Sequence, residues 1–183
     1  MSGDKAVEAL VLGIGNPLWG DEGFGLRALA AFEARWAVPE GVEVLDGGTQ
    51  GMYLLPYVQA ARRLLIFDAI DFSLPAGTPL LLCDDEVPRL MGARRLSLHQ
   101  TTFQDVLAAA TLLDGGPASL RLVGVQCLSL EDFGGGLSPE VEAQIGPAVE
   151  TAAKCLAEWG LAPSPLQPGS TSATGCRAGG GPP

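Results

Sequence analysis

Residues 11–25 read VLGIGNPLWGDEGFG, an apolar run that stops at two glycines, passes a proline and a tryptophan, and ends on two adjacent acids at the head of a helical pattern. A strand, a tight turn and a helix in that order open an α/β fold. What the turn carries decides the rest. Gly13-Ile-Gly15 follows the strand as a dinucleotide-binding turn would, and Asp46 ends the second strand where a ribose-binding acid would stand. Against that, the third glycine of the fingerprint falls at Leu18 and Pro17 stiffens the loop. Asp21 and Glu22 also occupy a helix start that a pyrophosphate needs bare and positive. The turn reads as a carrier of acids, with nucleotide binding as the competing class. Asp21 and Glu22 have a local alternative too, as helix-capping and first-turn acids.

Outward from this stretch, short β-like runs alternate with longer helical patterns. Strands are expected at 6–13, 41–46, 63–69, 78–83 and 119–126, and helices at about 21–36, 50–60, 100–113 and 138–159. Only about eight residues separate the third strand from the fourth, fewer than a parallel crossover needs. The fourth strand is therefore expected to run antiparallel at an edge. The fold class is α/β: a single-domain, three-layer sandwich with a five-stranded, mostly parallel twisted sheet and helices on both faces. Residues 1–160 form that domain. From Leu161 the sequence LAPSPLQPGSTSATGCRAGGGPP has little to bury and is expected to be a flexible tail through residue 183.

Composition narrows the function. The 183 residues carry 21 Asp+Glu against 11 Lys+Arg, a net charge of -10 that disfavours nucleic acid and anionic membrane surfaces. No stretch has the length and apolarity of a membrane span, and the N-terminus lacks the pattern of a secretory peptide, so the expectation is a cytoplasmic protein. Cysteines 83, 127, 155 and 176 form no C-x-x-C pair and read as reduced thiols. There is no G-x-S-x-G elbow and no cysteine in a nucleophile motif, so nothing supports serine or cysteine catalysis.

In such a sheet the ligand crevice lies beyond the carboxyl ends of the parallel strands. Those exits read GIGNPLWGDEG, DGGTQG and DAID, and LSLHQTT opens the helix at 100–113. Asp68 follows LLIF at the end of a central strand, where a carboxylate needs a partner, a metal or a turn to accept from. His99 is the sole histidine; it is either a helix-start or satisfied core residue or, with Glu22 and Asp68, one member of a site for a borderline divalent ion such as nickel or zinc.

Five co-linear motifs, VLGIGNPLWGDEGFG, VEVLDGGTQGMYLLP, LLIFDAID, SLHQTTFQDVLAAA and LVGVQCLSLEDFGGGLSPEVEAQI, resemble the maturation endopeptidases of nickel–iron hydrogenases over about residues 6–159. The wording NPLWGDEGFG is most similar to the branch serving membrane-bound uptake hydrogenases. The resemblance implies an aspartyl-type endopeptidase that trims the C-terminal extension of a large-subunit precursor after nickel insertion. It implies that Glu22, Asp68 and His99 bind the nickel, which the substrate brings, with zinc or cadmium able to substitute in vitro. Asp46 matches a motif tied to substrate handling, so Asp46 and Asp68 are the candidate catalytic acids. The expected partner is the precursor, met by a monomer without nucleic acid or membrane. A non-cleaving nickel-sensing module or chaperone for the precursor is the alternative.

Overall fold

Strands buried on both faces read as unbroken apolar runs, and three of them build the middle of the sheet. This computed structural model describes residues 6–91, 98–113, 115–130 and 133–166, with the side chains of 90–91 and 98–102 excepted. The three central strands are β1 (Ala9–Ile14), which is buried throughout, β4 (Arg63–Ile70) and β6 (Ser119–Gln126). The edges are β3 (Val42–Gly48) and β5 (Pro79–Cys83), where buried and exposed positions mix because one side of each strand lacks a neighbour. The order is β3-β1-β4-β6-β5. All pairings are parallel except β5 with β6, so the short connection before β5 did force an antiparallel edge.

Helix α1 (Phe24–Arg35) and helix α6 (Ile145–Glu158) cover one face, and α2 (Leu55–Ala60) and α4 (Leu98–Leu112) the other. The period of two in the strands sorts side chains between these layers. On β4, Leu65, Phe67 and Ala69 pack with Phe32 of α1 and Leu156 of α6, whereas Leu64, Ile66 and Ile70 pack with Val58, Phe103 and Val106. Short helices α3 (Glu86–Met91) and α5 (Pro139–Glu142) complete the α-helices among the described residues. The sequence reading did not anticipate α3, and it took α5 and α6 as one helix.

Residues 161–166, which the sequence reading assigned to the flexible tail, belong to the folded body. The two-residue strands β2 (Trp36–Ala37) and β7 (Ser164–Pro165) pair antiparallel, and Leu166 N–H donates to Arg35 O at 2.8 Å. Leu161 and Trp159 pack against the α1/α6 core. A proline in so short an edge ladder removes no needed donor, so the Pro-rich composition did not forbid docking. Residues 167–183 lie outside the described residues.

Candidate functional site

The site is assembled by a turn with almost no room in it. After β1 the chain reverses at Gly15, whose φ of 141° and whose missing Cβ both matter, because a Cβ there would collide with Glu22 O. Asn16 Oδ1 accepts from Leu18 N–H at 3.0 Å, and Trp19 N–H donates to Asn16 O at 3.1 Å. One turn of 3-10 helix, Gly20–Gly23, then carries Asp21 and Glu22 into α1. At Gly25 a side chain would strike both Ile14 O and Phe67 O. The start of α1 is thus pressed onto the ends of β1 and β4, and the turn packs against β4 where Asp68 stands.

Four polar or charged residues are buried among the described residues: Asp21, Glu22, Asp68 and Gln126. All four lie at the carboxyl ends of parallel strands or in the turn that packs there. Burying a carboxylate is costly unless it is bonded or bound, so this concentration marks the crevice. Asp68 is fully buried, with 0% exposure, and Glu22 is buried at 8%.

Asp21 does not cap α1. The residue before that helix is Gly23, with no side-chain cap bond. Instead Oδ2 accepts from Leu128 N–H at 2.8 Å and from Ser138 Oγ at 3.0 Å, while Oδ1 accepts from Ser138 N–H at 2.7 Å. The local capping signal in the sequence was outweighed by donors more than a hundred residues away.

Gln126 is the site residue that sequence reasoning passed over. Its Oε1 accepts from Phe72 N–H at 2.8 Å and Leu74 N–H at 3.3 Å, and its Nε2 donates to Asp71 Oδ1 and Cys127 O, both at 3.0 Å. This amide fixes the turn that leaves β4 just after Asp68. A polar residue closing the apolar run SLRLVGVQ was the available signal. Beside it, burial pushes the Cys127 thiol up to about 12, with Asp71, Asp21 and Asp68 adding repulsion. A thiol so held is protonated at neutral pH and is no nucleophile.

Glu22 is buried in the 3-10 turn that packs on β4 and Asp68 is buried near the carboxyl end of β4 itself, whereas Asp46 stands elsewhere. Asp46 is exposed on the edge strand, in register with Gly13, and shares the parity of Val42 and Val44 toward the α1 face. Asp68 shares the parity of Ile66 and Ile70 toward the α4 face. The two acids named as catalytic therefore lie on opposite faces, their backbones about 10 Å apart across two strand spacings and their carboxyl groups farther. His99 falls in the first turn of α4, and its side chain lies outside the described residues. Since α4 runs back toward Ser119 at the start of β6, its first turn is at the carboxyl edge, on the Asp68 face. Among the described residues no three His, Cys, Asp or Glu side chains form a metal-holding group.

Comparison with known proteins gives one consistent result. The HycI family model, described as hydrogenase maturation protease, matches residues 26–155, a span that includes Asp46, Asp68 and His99 and begins just after Glu22. A hydrogenase expression/formation protein HupD of Bradyrhizobium diazoefficiens is 57% identical over 83% of this chain and 79% of its own length. The hydrogenase 2 maturation protease of Escherichia coli is 45% identical over 86% of this chain and 96% of its own. The solved hydrogenase maturating endopeptidase HybD of E. coli superposes with a TM-score of 0.81 at 43% identity, covering 87% of this chain and 98% of that one.

Proposed function

Because the chain belongs to the hydrogenase maturation protease family, we propose that it is an endopeptidase removing the C-terminal extension of a nickel–iron hydrogenase large-subunit precursor, and that it inspects the inserted nickel first. The observation that carries this reading is the pair of buried acids at the carboxyl edge, Asp68 on β4 and Glu22 on a turn so close-packed that Gly15 and Gly25 have no room for a side chain. Two carboxylates and the imidazole of His99 suit a borderline divalent ion and leave positions for the precursor's own ligands. When bound, nickel supplies Lewis-acid polarisation of a nearby carbonyl.

The acids then divide the work. Asp68, buried on the α4 face, serves the ion. Asp46, exposed on the edge strand beside a backbone bent through Gly48, serves the peptide that crosses the mouth of the crevice. The wording of the opening loop and the HupD likeness favour a precursor of the uptake branch. Among the described residues no helix is long and apolar enough to cross a membrane. In the proposed function the protein meets its precursor in the cytoplasm as a monomer.

The test is mass spectrometry of a precursor C-terminus after incubation with the protein, with and without nickel loading. A truncated product only from the loaded precursor is the expected result. Equal cutting of metal-free precursor would remove the checkpoint, and absence of product from both, with binding to the loaded form retained, would leave a non-cleaving nickel sensor.

A further inference from the structure

The Asp21 carboxylate is committed to neither helix nor solvent. It is 3% exposed, it sits in the same 3-10 turn as Glu22, and its donors belong to two segments that follow β6. One is Leu128, the second residue past the strand; the other is Ser138, the extended residue that precedes α5. One side chain thus fastens both ends of the β6–α5 connection to the turn. Further along, Trp19 and Phe133 pair in an antiparallel bridge with their rings edge-on at 5.3 Å, and Gly134 N–H donates to Leu18 O at 2.8 Å. The turn and the connection are therefore joined at three points, the most buried being Asp21.

We propose that Asp21 is a positioning residue for the processing reaction, holding the Glu22 turn in place by bonding it to Leu128 and Ser138. The proposal rests on Glu22 serving the reaction as set out above. Glu22 sits on a single turn of 3-10 helix, which has poor hydrogen-bond geometry of its own. Its precision must come from outside the turn. Gly25 fixes the helix side, against Ile14 O and Phe67 O; Asp21 fixes the other, through three charge-assisted bonds to groups that are themselves held by β6 and α5.

Asp21→Asn keeps the shape and replaces one acceptor oxygen by a donor facing an N–H. The experiment is a double-mutant cycle on nickel-loaded precursor with Asp21→Asn, Glu22→Gln and both, together with thermal melts and chymotrypsin cleavage after Phe133. Loss of a bond to a charged group is expected to lower kcat/KM by roughly tenfold, mainly through KM. The double variant should process no more slowly than Glu22→Gln alone, because Asp21 acts through Glu22. Cleavage after Phe133 should accelerate in Asp21→Asn and not in Glu22→Gln. Losses that multiply in the double variant would overturn the proposal, leaving Asp21 a stabilising residue only. So would normal kinetics in Asp21→Asn beside an impaired Glu22→Gln. Normal kinetics in Glu22→Gln itself would instead bring down the role of Glu22. Should Asp21→Asn fail to fold, Ser138→Ala removes one donor of the three and must show a smaller rise in KM that disappears in the Glu22→Gln background; its persistence there counts against the proposal.

Discussion

Two aspartates stand at opposite ends of β6 and bind almost the same kinds of group. At the amino end Asp84 accepts from Leu120 N–H at 2.8 Å and Ser119 Oγ at 2.9 Å, and Arg121 lies 3.3 Å away. At the carboxyl end Asp21 accepts from two backbone N–H groups and Ser138 Oγ, all neutral. Asp84 is exposed and has a cation; Asp21 is buried and, among the described residues, has none in hydrogen-bond range. An exposed, paired carboxylate serves stability at little cost, while buried ones with neutral donors are a burden that a purely structural end of the sheet avoids. The two ends teach that the same bonding pattern closes a turn at one and holds the turn that carries Glu22 at the other.

The comparison can be broken most severely at Asp68. Asp68→Asn preserves volume and removes the charge, and processing is expected to fall by more than the roughly 10–100-fold typical of losing a group behind a metal ligand. A folded Asp68→Asn protein yielding truncated precursor at the normal rate would dissolve the distinction between the ends. Next in size is the core that both ends share. Phe32→Ala, within the α1/α6 layer and in contact with Phe67, should cost about 3–5 kcal/mol in denaturant melts. Activity below the new midpoint should survive, since no site residue is touched.

Asp84→Asn sharpens the contrast at lower cost. Asparagine tolerates the φ of 48° found there, so the loss should be about 1 kcal/mol with kcat/KM unchanged. The sign of its pH dependence follows from its bonds. Leu120 N–H, then Ser119 and Arg121, hold the Asp84 carboxyl below its ordinary 3.8. Its share of stability is present above that value and is lost as acid carries the pH down through the folded-state pKa. Acid melts of wild type and Asp84→Asn should therefore stand fully apart above pH 3.8 and converge only as the pH falls from there through the lower, folded-state value. Smallest of all is the expected reactivity of Cys127. Burial holds its thiol at about 12, so iodoacetamide at neutral pH should label Cys83 and leave Cys127 unmodified in the native protein. Rapid labelling of Cys127 would show an open crevice.

Much of this arrangement was legible in the sequence because its causes are local. Runs such as LLIF and LRLV named the central strands, the short link before β5 named its direction, and acids at strand exits named Glu22 and Asp68. The capping alternative for Asp21 could not be decided from the sequence because capping is judged within four residues, whereas its partners are 107 and 117 residues away. Gln126 escaped for a related reason: its value lies in turns 52 and 54 residues earlier. The docking of residues 161–166 depends on Arg35 O, a backbone group that no composition reveals.

The doubly fastened β6–α5 connection has a consequence for divergence within a lineage. With its feet held by one carboxylate, and Phe133 and Gly134 seated on Trp19 and Leu18, only the residues of the span outside these contacts can change length or wording without pulling on the turn that carries Glu22. Lengthening it costs only closure entropy, about 0.6 kcal/mol for each doubling. Under the proposed function, new precursor preferences can therefore arise in those residues by insertion and drift while Glu22 and Asp68 keep their places.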